Sequence, residues 1–298
     1  MRRSLIWIFA SALFTGGLGY LALQLYLGWG GSSSPVPIKI IVQTGPQCEA
    51  LQTTYLAELM ELAADKPTPS KEFNCQKAAA KLRSSPVIKE ADVSLLRPGI
   101  VYVDYAVRQP VAFLADCPNT AIDEVGTPFP LSPFFPPKNL PEIFLGLKEA
   151  PEWNRSLKND KLKVAFQILD LFQDPAFEGP FILRRVDVSR ALERSYGTRE
   201  IVLVIEDEIK KEKEVRWMIP RILRLSAKDY SQELANFLKL RLTLLEKEQS
   251  LCPEPKGHQT LLYCPRKVID LRLSDLAFVQ EKSTTEITET TEKKREKK

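Results

Sequence analysis

Hydrophobic and polar residues alternate in two runs between Ser85 and Val111, and each run predicts a strand with one buried face. The apolar positions of the first run are Ala91, Val93 and Leu95. Those of the second run are Val101, Val103, Tyr105 and Val107. The segment from Arg97 to Gly99, which includes Pro98, favours a turn between them. The stretch therefore predicts two neighbouring strands of a sheet that is covered on one side.

The residues before this stretch predict one more strand and two helices. Ile38 to Val42 is an apolar run of strand length. Apolar residues recur at helical spacing between Leu51 and Leu62, and a second helix is predicted from about Asn74 to Arg83. Pro86 ends this helix, because helical geometry is disfavoured in the residue before a proline. The order strand, helix, helix, strand, strand over 38–111 predicts a small α+β domain.

Residues 112–280 predict a second, β-rich domain with flanking helices. One amphipathic helix runs from Leu162 to Phe172, with Asn159 or Asp160 as its N-cap. A second helix opens at residues 226–229, where the sequence resembles a capping box.

This domain also contains one charged run and one segment in which apolar and polar residues alternate. The run from Glu206 to Glu214 predicts the solvated tip of a hairpin, and its acidic side chains are expected on a solvated face. The alternation from about Lys267 to Val279 predicts a final strand. A last strand followed only by a polar tail favours a sheet edge, where unpaired backbone groups can accept a partner's strand. The alternative is that the apolar group 276–279 packs into the core.

The N-terminal region has the composition of a membrane anchor. Residues 5–29 contain no charged side chain, and a helix of that length crosses a hydrocarbon core of roughly 30 Å. Arg2 and Arg3 precede it, so the positive-inside rule places residues 1–4 in the cytoplasm. We therefore expect a single-pass inner-membrane protein with an N-terminal transmembrane helix and an extracytoplasmic bulk. The alternative is a cleaved signal peptide.

Two further segments have the composition of unstructured chain. Residues 30–37 form a linker rich in glycine, serine and proline. Residues 281–298 alternate threonine, glutamate and lysine without an apolar period, which predicts a disordered tail.

The residue types of the chain argue against an enzyme. No catalytic or phosphate-binding motif is present, and the one histidine, His258, lies in a loop with proline and glycine. We expect no cofactor and no metal. The formal net charge of +4 is small for 298 residues, so no nucleic-acid partner is expected.

Five cysteines leave the disulfide pattern open. Cys252 and Cys264 bracket a proline-rich loop and could pair. Cys48 and Cys75 precede the first two helices and could also pair, which would leave Cys117 over. The alternative is that all five thiols are reduced.

Three blocks of sequence together resemble one bacterial family. The first holds Ser85-Pro86-Val87-Ile88 and Arg108-Gln109-Pro110-Val111-Ala112. The second holds Ile122-Asp123, Gly126, Phe129, Leu140-Pro141 and Gly146. The third is Val268-Ile269-Asp270-Leu271-Arg272. These blocks, in this order, resemble the cell division protein family FtsQ/DivIB, in which a POTRA domain precedes a β domain.

The resemblance implies a function and a set of partners. It implies a POTRA domain at 38–111, a β domain at 112–280, and a scaffold of the divisome that regulates septal peptidoglycan synthesis. Partners would be FtsB-like and FtsL-like proteins at the last strand and other membrane division proteins at the POTRA domain. The expected partner-binding residues are Ile269, Leu271, Leu273, Asp275, Leu276, Ala277, Phe278 and Val279. The alternatives are a POTRA-bearing component of envelope protein assembly or secretion, and an anchored envelope hydrolase.

Overall fold

The computed structural model describes residues 15–24, 36–44, 50–175, 181–210, 216–248, 252, 261–273 and 276–281. The chain divides into two compact units, Met1–Val107 and Arg108–Lys298. The expected cytoplasmic residues 1–4, the linker apart from 36–37, and the expected disordered tail apart from Glu281 lie outside the described residues.

The prediction of a transmembrane helix over 5–29 is wrong. Within the described parts of the chain, no helix is both long enough and apolar enough to cross a membrane. Residues 5–14 and 25–29 of this prediction lie outside the described residues. The single-pass inner-membrane location was inferred from that helix and is corrected with it.

The first unit contains the predicted order of strand, helix, helix, strand, strand, which confirms the α+β prediction for this segment. Its elements are β1 (Ile40–Gln43), α1 (Thr53–Leu59), α2 (Cys75–Ser84), β2 (Ile88–Arg97) and β3 (Ile100–Val107). The strands form a sheet in the order β1-β3-β2, with β1 parallel and β2 antiparallel to β3.

Buried and more exposed side chains alternate along β3, and the buried ones mark the face of the sheet that the helices cover. Val101, Val103 and Tyr105 are buried, as predicted. Ala78, Ala79 and Leu82 of α2 are buried as well, and this helix packs against β2. The Asn74 side chain accepts a hydrogen bond from the Lys77 backbone N–H at 2.9 Å and caps the start of α2.

The second unit is built on one large sheet. Its strands are β4 (Ala112–Leu114), β5 (Thr120–Ile122), β6 (Pro128–Pro130), β7 (Glu142–Phe144), β8 (Phe181–Asp187), β9 (Ile201–Lys210), β10 (Arg216–Leu225), β11 (Leu261–Tyr263), β12 (Lys267–Asp270) and β13 (Phe278–Glu281). In the described chain the spatial order is β13-β12-β10-β9-β8-β7-β4-β5-β6, and β11 pairs with β10 beside β12. The helices are α3 (Asp160–Phe172) and α4 (Tyr230–Glu248).

Both helices begin near the predicted residues. The Asn159 side chain accepts from the Lys161 backbone N–H at 2.9 Å, so Asn159 is the N-cap of α3. The Ser226 hydroxyl oxygen accepts from the Asp229 N–H at 3.0 Å, while Glu233 accepts from the Ser226 N–H at 2.7 Å. In a capping box the fourth residue, here Asp229, bonds back to the first N–H; Glu233 takes that role in this helix.

The predicted hairpin tip at 206–214 is wrong in part. β9 continues to Lys210, so residues 206–210 belong to a strand and not to a tip. Asp207 is fully buried, in contrast to the solvated face predicted for this charged run. Residues 211–215 lie outside the described residues.

Candidate partner-binding edge

The predicted final strand from Lys267 to Val279 is two strands and not one. β12 and β13 are antiparallel, with Ile269 opposite Val279 and Asp270 opposite Phe278. The chain leaves β12 at Asp270, whose Oδ1 accepts a hydrogen bond from the Arg272 backbone N–H at 3.2 Å. An aspartate bonded to the backbone two residues on is typical of a turn. The prediction of a single strand missed this reversal.

The reversal moves two of the expected binding residues into the protein core. β12 pairs with β10 on one side and with β13 on the other. Ile269 is fully buried, and Leu271 is nearly so. These two residues hold the core of the second unit together and are not accessible to a partner.

The remaining described residues of the predicted set are exposed. They are Leu273, Leu276, Ala277, Phe278 and Val279. Phe278 is 57% and Val279 is 42% exposed. Asp275 lies outside the described residues. The structure thus separates the predicted set into core residues and surface residues.

β13 lies at one of the two ends of the large sheet, and β6 lies at the other, among the described strands. Of these strands, β13 pairs with β12 alone. Phe278 lies opposite Asp270 and Val279 lies opposite Ile269, so the two side chains point to opposite faces of the sheet. Sequence reasoning ended the strand at Val279 and missed Gln280 and Glu281, although polar residues after an apolar pair are common at an exposed edge.

An ion-pair network fixes the turn that follows β12. The Arg272 Nη2 donates to Asp270 Oδ2 at 2.7 Å, and Arg224 Nη1 lies 3.4 Å from the same oxygen. Burial opposes the ionisation of Asp270, but the hydrogen bonds from Arg272 and the charges of Arg272 and Arg224 outweigh it and lower the pKa of Asp270. Asp270 therefore stays ionised and keeps the turn in place at neutral pH.

A groove of about 950 Å³ runs beside this turn. It is lined on one side by α4 and on the other by the segment that leads into β13; the apolar lining residues are Leu240, Leu271, Leu273, Leu276 and Ala277. Glu233 also lines the groove, and burial raises the pKa of its carboxyl. The exposed side chains of Leu273 and Leu276 thus extend the apolar surface of β13 towards α4.

The cysteines and the histidine are the remaining side chains that the sequence suggested for site chemistry. No group of three metal-binding side chains occurs within the described ranges. Cys252 and Cys264 form a disulfide, which was one of the two open alternatives for this pair. Cys75 and Cys117 are free thiols, while Cys48 and His258 lie outside the described residues.

Residues from the first two blocks of the resemblance lie together in the structure. Arg108 Nη1 donates to Asp123 Oδ2 at 2.8 Å. Asp123 Oδ1 also accepts from the Thr127 backbone N–H at 2.7 Å. These contacts stabilise the turn after β5, so both residues have a structural role here.

No protein-family model matches this chain, and no curated protein matches it either.

Proposed function

We propose that this chain is a non-enzymatic scaffold of the bacterial division machinery and that it holds a partner on β13. The observation that carries the proposal is that no described strand pairs with the outer edge of β13, where Phe278 and Val279 are exposed although both are apolar. An exposed apolar edge favours aggregation unless a partner covers it. A strand of a binding partner is the simplest cover.

Strand addition explains why both side chains are exposed. A strand that pairs with β13 gains backbone hydrogen bonds along the edge, and its alternate side chains gain specific contacts on the two faces. Phe278 offers an apolar contact on one face, and Val279 offers one on the other. Leu273 and Leu276 add apolar surface next to the strand.

The resemblance to the FtsQ/DivIB family supports the choice of partner. It implies that an FtsB-like protein, in complex with an FtsL-like protein, supplies the added strand. In this account the chain links division proteins and regulates septal peptidoglycan synthesis through contacts alone. The order of elements in the first unit agrees with the POTRA arrangement that the same resemblance implies.

Co-purification of the full chain with FtsB-like and FtsL-like proteins tests the proposal. We expect Phe278→Glu to weaken the complex by at least about tenfold, because a charge would be buried without a partner. Leu192→Glu is the matched control, since Leu192 is similarly exposed at 49% and lies outside the strands. It should bind as the wild type does.

Two results would contradict the proposal. One is a complex that forms equally well with Phe278→Glu. The other is recovery of outer-membrane barrels in place of the FtsB-like pair, which would favour the role in protein assembly or secretion.

A further inference from the structure

Among the described residues of the first unit, helices cover only one face of the three-stranded sheet. In β3, Val101, Val103 and Tyr105 are buried, whereas Tyr102 is half-buried and Asp104 is exposed. Side chains alternate between the faces of a strand, so Tyr102 and Asp104 share the second face. Of the described elements, α1 and α2 supply the helical layer of this unit, and its core residues are those of the first face.

One half of the second face is apolar. Ile40 pairs with Ile100, and Val42 pairs with Tyr102, so these four side chains lie next to each other on the same face. Ile40 is 51% and Val42 is 39% exposed. An apolar cluster on an otherwise polar surface is typical of an interaction site.

The other half of this face is acidic. Asp92 lies directly opposite Asp104 in the antiparallel pair of β2 and β3. Neither carboxylate has a basic partner among the described residues, and Asp104 accepts a hydrogen bond from the Thr44 hydroxyl at 2.6 Å. Like charges directly opposite one another destabilise a sheet, so a cation placed above them would relieve this cost.

The dimensions of the face fit one helix. Three strands spaced at about 4.8 Å give a width of roughly 10 Å, which is close to the diameter of an α-helix. Tyr102 and Asp104 are two residues apart, which is about 7 Å along the strand. One turn of an α-helix rises about 5.4 Å. A basic side chain about one turn beyond the apolar side chains of a bound helix would therefore reach Asp92 and Asp104. Cations are favoured at a helix C-terminus.

From these observations we infer that this second face, which the described residues leave uncovered, binds a partner helix that is apolar along one side and carries lysine or arginine at its C-terminal end. The apolar stripe covers Ile40, Val42 and Tyr102, and the basic end lies over Asp92 and Asp104. This inference concerns the first unit and does not depend on the proposed function of β13.

A photo-crosslinking experiment with the full chain tests the inference. The probe is a short amphipathic peptide with photoreactive leucines on one side and lysines at its C-terminal end, and glutamates replace the lysines in the control peptide. We expect crosslinks at residues 40–42 and 100–104, and few with the control peptide. Asp92→Asn combined with Asp104→Asn should weaken lysine-peptide binding by about fivefold, in line with two exposed charge contacts.

Several controls keep the result specific. Glu149→Gln combined with Glu193→Gln also removes two exposed carboxylate charges, but from the second unit, and should leave binding unchanged. Val42→Ser should remove the crosslinks at 40–42 while the fold is kept, because Val42 is exposed. The variant Phe278→Glu should bind the peptide normally, which separates this inference from the β13 proposal.

Three outcomes would overturn the inference. Crosslinks elsewhere on the protein would show that this face does not bind the peptide. Unchanged affinity in the double asparagine variant would show that the carboxylates do not select a cation. Self-association in sedimentation that Val42→Ser abolishes would show that a second copy of this chain covers the face.

Discussion

Asp207 is fully buried and accepts two hydrogen bonds from Arg241, whose Nη2 lies 2.8 Å from Oδ1 and whose Nε lies 3.0 Å from Oδ2. This contact joins the middle of α4 to β9. Arg221, also fully buried on β10, reaches Asp207 Oδ2 at 3.5 Å. The guanidinium of Arg241 further stacks over the Phe181 ring, 5.0 Å from its centroid. Charge pairing therefore holds α4 on the sheet from within the core.

Asp207→Ala should lower the free energy of unfolding by about 3–5 kcal/mol, because it leaves buried arginine charge without its carboxylate. The measurement is urea unfolding of the full chain. Glu152→Ala is the control, since it breaks an exposed pair with Arg155 and should cost less than about 1 kcal/mol. Similar losses in the two variants would contradict a stabilising role for the buried cluster.

Gly126→Ala should destabilise the turn after β5 by about 2–4 kcal/mol. Gly126 has φ of +75°, and an added Cβ would lie 2.7 Å from Leu162 Cδ2 of α3. Gly197→Ala is the matched control, because φ there is not positive and the nearest atom would lie 4.0 Å away. Thermal unfolding of both variants measures the difference. A Gly126→Ala protein as stable as Gly197→Ala would refute the steric argument.

Loss of the Cys252–Cys264 disulfide should lower stability by about 3 kcal/mol, since it joins residues 12 apart and restricts the unfolded chain. The test compares Tm with and without a dithiol reductant in the wild type and in the double serine variant. The reductant should lower Tm in the wild type only. Cys75→Ser, which removes a free thiol, should keep the full response to reduction. A wild-type Tm that reductant leaves unchanged would be inconsistent with this bond.

Glu233 should make stability depend on pH in the acidic range. Burial raises the pKa of its carboxyl above the ordinary value of 4.5, and the hydrogen bonds from Ser226 only partly oppose this. At pH values between 4.5 and the raised pKa, the folded chain then binds more protons than the unfolded chain. The free energy of unfolding therefore falls as the pH rises through that window. Glu233→Gln keeps an acceptor for the Ser226 N–H and should give a flatter profile in urea unfolding. An unchanged slope would exclude Glu233 as the cause.

Sequence patterns predicted those strand faces and helix caps that depend on residues close together in the chain. Alternation identified Val101, Val103 and Tyr105 as the buried face of β3. Side-chain chemistry limited the N-cap of α3 to Asn159 or Asp160, and in the structure Asn159 is the cap, with its hydrogen-bond partner two residues away. The Cys252–Cys264 pair was one of two alternatives, and spacing alone did not decide between them.

The predictions that were wrong concern residues whose side-chain partners are distant in the sequence. Asp207 lies in a charged run, and its partner Arg241 is 34 residues away, so nothing local marked it as buried. The turn at Asp270 depends on Arg224 of β10 and on Glu200, which lies just before β9. Which residues of the predicted partner-binding segment are exposed followed only from the pairing of β12 and β13.

Hydrogen–deuterium exchange of the full chain, with and without the FtsB-like and FtsL-like pair, tests strand addition to β13 most directly. We predict that the partner slows exchange of amides in residues 278–281, because an added strand hydrogen-bonds the open edge. Amides of 88–97, which form an edge strand of the other sheet, should exchange as before. A complex that forms while exchange at 278–281 stays unchanged would contradict the account.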